Sequence, residues 1–321
     1  MSIHNFPGSG SDRQHHLPDQ DQPLVRRGTV TDIIHCQESG TTDYVVSNLT
    51  GCTRLRGILE QDGGTGGIPT VGAVVEVYGY PESLDGAEGV AVEFVQIPLN
   101  ALSIEMIPMV LCPPIAKDAM HVITATIMSL SDDLRVFLSR VVARPPVATL
   151  LMKAPASLEA HDAYQGGLAV HVAGMLTRVL SLPIEDFQNA ESREVLLAAC
   201  ILHDLGKVMT CEGGFSNYQT AHEIRLIGVI DCEAWVALQA RQRSMSEFLL
   251  FLLDPARRTD HGCAVPEVHH LAWADRVGAS VDTAQKAFAQ TEAWASTALR
   301  SLRDGRARRC YRAIRHSSRS K

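Results

Sequence analysis

Leu196-Leu197-Ala198-Ala199-Cys200-Ile201-Leu202-His203-Asp204-Leu205-Gly206-Lys207 is the stretch on which the reading of this chain turns. An unbroken apolar run ends in an imidazole, a carboxylate and, three residues later, an ammonium group. A carboxylate at the end of a buried helix is costly unless it is paired or coordinated. Neighbouring nitrogen and oxygen donors suit a divalent cation that keeps positions open for water and a phosphate. Lys207 then puts a positive charge where a scissile phosphate would lie, and Gly206 is expected to end the helix in the left-handed conformation. The chemistry implied is metal-assisted phosphoryl hydrolysis.

Further donors lie on either side of this string. His171 belongs to a helix opened by Gly166-Gly167, whose apolar face is Leu168, Val172, Met175 and Val179, so its imidazole borders the core. Asp275 lies on a helix begun by Pro266-Glu267, at the inner edge of a stripe of Val268, Leu271 and Ala274. His171, His203, Asp204 and Asp275 make one candidate site of mixed N/O ligands. His222 follows the capping box Thr220-x-x-Glu223, which accounts for Glu223 structurally. His222, His261 and Asp260, with Asp204 as the bridge, are candidates for a second site. Two cations ~3.5–4 Å apart can clamp the attacking and leaving oxygens of a phosphodiester. His269 and His270 fall off the Asp275 stripe and read as surface residues. The absence of sulfur ligands favours Mn2+, Mg2+ or another first-row ion over structural zinc.

At 321 residues the chain has room for two domains, and 45% apolar content is that of an ordinary globular protein. The net charge of −7 is unevenly spread: from Arg300 onward nine Lys/Arg face one acid, Asp304. Residues 291–321 therefore read as a basic tail, able to hold polyanions or simply solvated. Eight cysteines are scattered without a C-x-x-C pair, which argues for reduced thiols and against a disulfide scaffold. No secretory signal or membrane span is legible, so a cytoplasmic protein is expected.

Residues 1–23 are polar, lack periodicity and read as disordered. Across 24–100, alternating segments at 25–35, 44–48, 53–59, 73–78 and 91–97 are punctuated by Gly, which predicts a small β-barrel of the oligonucleotide-binding (OB) type. The Pro-rich stretch in 101–117 reads as a linker. Helical spacing then predicts helices over 118–142, 145–152, 167–182, 193–205, 222–241, 246–253 and 266–289, an all-α domain spanning 118–290. The expected class is an α+β multidomain chain, barrel first and helices second.

His171, then His203-Asp204, then Asp275 resembles the signature of the HD superfamily of metal-dependent phosphohydrolases. More narrowly, Ala154-Pro155-Ala156-Ser157, His161-Asp162-Ala163-Tyr164-Gln165-Gly166-Gly167-Leu168 and Ile201–Lys207 are similar to the YhaM-type 3′–5′ exoribonucleases, which place an OB barrel before an HD domain. The resemblance covers about residues 24–290. It implies trimming of single-stranded RNA or DNA from the 3′ end with a divalent cation, usually Mn2+. His161-Asp162 and Asp260-His261 stand where the family usually has His-His pairs, and Gly278 stands where it has a second Asp. A related HD domain also occurs in conjugative relaxases.

The expected function is thus a divalent-metal phosphodiesterase on single-stranded nucleic acid, with one or two ions per chain. Lys207 would steady the phosphate, and His161 would contact substrate or move a proton. The barrel would hold the strand through Arg54, Arg56, Tyr78 and Tyr80, by charge and stacking. The alternatives are an HD nucleotide phosphohydrolase whose barrel serves in assembly as a homo-oligomer, or a non-catalytic, relaxase-associated nucleic-acid-binding protein.

Overall fold

Strand β1 (Leu24–His35) serves both halves of the N-terminal barrel. Its first part pairs antiparallel with β4 (Val74–Tyr80), its second with β2 (Thr42–Ser47). The register shifts between Val30 and Asp32, a bulge that bends the strand from one partner toward the other. β2 continues antiparallel to β3 (Cys52–Gly57), β3 runs parallel to β5 (Gly89–Gln96), and β5 returns antiparallel to β4. The closed order β1-β2-β3-β5-β4 is consistent with an OB barrel. Its interior is filled by alternate residues, with Tyr44 against Phe94 (ring centroids 4.7 Å apart) among Val30, Leu55 and Val77. This computed structural model describes residues 24–37, 39–57, 68–83, 86–157, 162–208, 226, 228–254, 256, 263–289, 291–292, 295–301 and 307–311. The expectation of disorder over 1–23 lies outside them.

The segment expected to link the two parts is folded into both. Three single-turn 3-10 helices, Leu99–Ala101, Ile104–Met106 and Met109–Leu111, run through it. Leu102, Ile104, Met106, Ile107, Met109 and Cys112 are buried in the helical core, which Val74 of the barrel also joins. Thr29 Oγ1 donates to the Met106 carbonyl (3.0 Å), Leu49 N to Glu105 O (2.8 Å) and Met109 N to Asn48 O (3.3 Å). Proline there starts a helix rather than a spacer: α1 (Pro114–Ser129) opens on Pro114, four residues before the expected start.

The single helix predicted over 118–142 is two. α1 ends at Ser129, Leu130 is extended, and α2 (Asp132–Val142) begins with Asp132 and Asp133 in its first turn, where carboxylates complement the helix N-terminus. The Glu194 carboxylate accepts from Ser131 N at 3.0 Å across this break. Next come α3 (Pro145–Lys153), α4 (Gly167–Leu180), α5 (Ala190–Leu202), α6 (Cys232–Arg241), α7 (Arg243–Leu253) and α8 (Pro266–Ala289). α5 is the axis: every residue from Val195 to Leu202 is buried. α4 and α8 pack against it and against each other.

Two further sequence expectations are corrected. Gly206 is not left-handed: after α5 the chain tightens into a 3-10 turn at Leu205–Lys207, with Lys207 N donating to Asp204 O at 2.9 Å. The basic tail over 291–321, expected to hold polyanions or to be simply solvated, contains β6 (Thr297–Ser301) and β7 (Ala307–Tyr311), which form an antiparallel hairpin. Ala298 and Cys310 bury against Ala284, Ala287 and Phe288 of α8, and this small apolar contact holds the hairpin in place. Among the described residues no helix is long and apolar enough to cross a membrane, and the described cysteines are all free thiols.

Candidate metal centre

Three helices bring the candidate ligands together. α4 presents His171 from its second turn, the α5 terminus presents His203 and Asp204, and α8 presents Asp275 from its third turn. One donor atom each of His171, His203 and Asp275 lie within 4.8 Å of one another. His171 Nε2 is 3.3 Å from Asp275 Oδ1 and 3.5 Å from Asp204 Oδ2, and His203 Nε2 is 3.3 Å from Asp204 Oδ2. The imidazoles and Asp204 are almost wholly buried, whereas the Asp275 side chain is 33% exposed. The cluster is thus closed on the protein side and open at Asp275.

The loop before α4 shapes the far side of His171. Gly166 is left-handed (φ 87°), and a Cβ at Gly167 would lie 1.8 Å from the Asp162 carbonyl oxygen, so the motif's paired glycines are required by this close approach. Ala156 N donates to the same carbonyl at 3.1 Å. Asp162, itself left-handed at φ 46°, places Oδ2 3.9 Å from His171 Nδ1 and accepts from Tyr164 OH at 3.0 Å. Its backbone N–H donates to Asp282 Oδ2 on α8, which also pairs with Lys286 at 2.6 Å. Burial raises the Asp162 pKa, opposed by the Tyr164 hydrogen bond and the His171 charge. Burial and the Asp162 carboxylate raise that of Tyr164.

The donor set fits a divalent ion. His203 Nδ1–H donates to the Cys200 carbonyl at 2.9 Å, which fixes the tautomer and leaves the Nε2 lone pair facing the carboxylates. His203 Nε2 is buried and makes no hydrogen bond. Burial presses its pKa down, but Asp204 and Asp275 outweigh burial and hold it above the usual imidazole value. Burial likewise pushes Asp275 up, but the His171 hydrogen bond and the His203 charge prevail and hold it at about 2. A pocket that favours positive charge this strongly suits a cation in place of the protons. Two imidazoles and two carboxylates without a thiolate are donors for a first-row or alkaline-earth ion.

Not every expected residue joins the cluster. Lys207, read as a phosphate contact, does reach it, buried and paired with Asp204 Oδ2 at 2.5 Å. His161, His222, Asp260 and His261 lie outside the described residues. In the barrel, Arg54 and Arg56 converge on buried Asp43 at 2.7 and 2.9 Å, so much of their charge is taken up internally. Tyr78 and Tyr80 are exposed on β4. His269 is exposed, as expected, and bonds the Cys263 carbonyl, whereas half-buried His270 bonds the Asp186 carbonyl. In the sequence Asp162 reads only as the residue in place of a family His, and Asp282 and Glu267 carry no site role. The first two had a signal: Asp162 stands within the glycine motif, and Asp282 lies two turns beyond Asp275 on the same face.

No family model matches the chain, and no solved structure matches it. Among curated proteins it is similar to the 3′-5′ exoribonuclease YhaM of several Listeria and Bacillus species. It is 40% identical to that of Listeria welshimeri over 76 residues, 24% of this chain and 23% of the relative. The figures are 40% over 79 residues (25% and 24%) for Bacillus subtilis and 40% over 83 residues (26% and 26%) for Bacillus velezensis. The matched segment spans about a quarter of each relative's length. Barrel, helices, convergent donors and this matched quarter together support a YhaM-like relationship.

Proposed function

We propose that this chain is a divalent-cation-dependent phosphodiesterase acting on single-stranded nucleic acid, as a 3′–5′ exonuclease in the cytoplasm. The observation that carries the reading is the convergence of His171, His203 and Asp275 around a buried, unbonded imidazole nitrogen at a solvent-facing opening. His171, His203, Asp204 and Asp275 would hold the ion, with Mn2+ the first choice among the first-row and alkaline-earth ions that suit these donors. When bound, the ion supplies Lewis acidity that polarises water and offsets charge developing on the phosphate.

The chain's own groups prepare that site. Lys207 holds the Asp204 carboxylate in place and adds positive charge at the cluster. Asp162 lies behind His171 and limits its rotation, while Tyr164 and Asp282 fix Asp162. In the barrel, exposed Tyr78 and Tyr80 offer stacking surfaces. Arg54 and Arg56, engaged by Asp43, contribute less than bare cations would. That engagement favours one alternative, hydrolysis of free nucleotides with the barrel used for assembly. The extra ligands His222, His261 and Asp260 and the substrate or proton-transfer role of His161 belong to the same proposal.

The test pairs metal analysis of purified protein with digestion of labelled RNA and DNA oligonucleotides blocked at either end. A retained ion and a ladder that a 3′ block abolishes are expected, with His203→Ala losing both. Turnover of nucleotides alone selects the phosphohydrolase. Strand binding without ion or hydrolysis selects the non-catalytic reading.

A further inference from the structure

Arg178 is a half-buried cation for which the described residues supply no hydrogen bond or ion pair. Other guanidiniums of the helical part are engaged: Arg140 by Asp231 and Glu233, Arg144 by Val229 O, and Arg193 by Leu180 O. The Arg178 side chain folds back along α4 toward its N-terminus, as long helical side chains do. Its guanidinium comes to rest over two glycines. A Cβ at Gly174 would lie 3.0 Å from Nη1, and one at Gly278 on α8 would lie 3.2 Å from it.

Gly174 is three residues beyond His171 on α4, and Gly278 is three residues beyond Asp275 on α8. Residues so spaced are neighbours on one helix face, with Cβ atoms about 5–6 Å apart. Two of the three helices that supply donors, α4 and α8, therefore also supply, one turn away on the same face, a residue without a side chain. The charge of Arg178 fills that furrow. It rests one helical turn along from His171 on α4 and from Asp275, the exposed member of the cluster, on α8. Packing alone does not explain a charged group there, since an apolar side chain would fill the furrow without desolvating a cation. A bidentate guanidinium beside a phosphodiester centre matches one ligand chemistry, a phosphate oxygen pair.

We propose that Arg178 binds the substrate phosphate next to the one being cleaved, so that it sets affinity for a polynucleotide over a mononucleotide. This inference rests on the phosphodiesterase reading above. Gly174 and Gly278 are the space that lets the guanidinium reach that phosphate.

The test uses the full chain with a fluorescent single-stranded RNA decamer, measured by anisotropy in EDTA so that no turnover intervenes. Arg178→Ala should weaken binding about tenfold. It should also flatten the slope of log K against log salt by about 0.7, the loss of one phosphate contact on a single strand. Arg178→Lys should restore part of the affinity. Gly278→Asp, which puts a carboxylate against the guanidinium, should weaken binding while leaving Arg178 present. With Mn2+ added, Arg178→Ala should raise KM for the decamer far more than it lowers kcat.

Wild-type affinity and salt slope in Arg178→Ala would overturn the inference, and so would undiminished binding in Gly278→Asp should Arg178→Ala fail to fold. The two readings fail differently. If the wild-type protein neither retains an ion nor cuts RNA, the phosphodiesterase reading falls. If it does both and the Arg178 and Gly278 variants bind as it does, only the role of Arg178 falls.

Discussion

Three kinds of side chain make up the candidate metal centre: possible donors, the groups that aim them, and the cations beside them. Donors were legible in the sequence because helical periodicity puts His171 and Asp275 at the edges of apolar stripes, and because His203-Asp204 terminates an apolar run too abruptly to be packing alone. The aiming groups were not legible. Asp162 reaches His171 only because a left-handed residue and two glycines turn the loop back onto α4, a tertiary event with no local period. Lys207 reads as a phosphate contact by its place just past the ligands, although its i,i+3 spacing from Asp204 already allows the two side chains to meet. At this scale, Asp162→Asn should keep the fold but lower ion affinity about 10–100-fold, as loss of a carboxylate behind a ligating imidazole does. Titration of the stripped protein with Mn2+ measures it, and an unchanged affinity would remove Asp162 from the centre.

Between elements, buried carboxylates act as ties. Glu267, wholly buried at the start of α8, accepts from Gln188 N at 2.9 Å, Gln188 Nε2 at 3.3 Å and Ser192 Oγ at 2.5 Å, all at the start of α5. It therefore fixes α8, which carries Asp275, against α5, which carries His203. In the sequence Glu267 reads only as an acid in a first helical turn, since its partners are more than seventy residues away. Glu267→Ala removes the acceptor from the buried Ser192 hydroxyl, while the exposed Gln188 donors turn to water, and should cost about 1–2 kcal/mol in denaturant unfolding. Weaker ion binding should accompany the loss.

Asp43 plays the equivalent part in the barrel, where β2 and β3 meet. Burial alone would raise its pKa, but the hydrogen bonds of Arg56 and Arg54 prevail and hold it below the usual carboxylate value. A lowered folded-state pKa means that this contribution is complete above the unfolded carboxylate pKa and is lost as pH falls through the folded one. The unfolding temperature of the wild-type chain should thus drop on acidification below about pH 4. Asp43→Asn should be less stable at neutral pH, by about 1–2 kcal/mol, and should show a shallower acid limb. Parallel acid limbs in the two proteins would exclude the tie.

For the molecule as a whole, the order of parts could be read from the change of hydrophobic period near residue 100, but the way they join could not. The prolines that suggested a spacer instead start helices, and the intervening apolar residues belong to the core of the α-helical part. Barrel and helices should therefore unfold in one calorimetric transition, and limited proteolysis should spare residues 99–113. Two separated transitions would contradict the shared core. Removal of the ion should act on the same single transition. An ion present at 100 times its dissociation constant contributes about 2.7 kcal/mol, so EDTA should lower the unfolding temperature by about 5 °C. His203→Ala should show no such response.

The fused segment between Leu99 and Cys112 has a mechanical corollary. Met106, Leu49 and Val74 bolt the β-barrel to the helices, so on the proposed function the barrel's tyrosines and the candidate ligands would sit a fixed span apart. A strand gripped at one end of that span and shortened at the other would slip free once its remaining length fell below the gap. Digestion would then stall at an oligomer of uniform size, and the molecule would act as its own ruler.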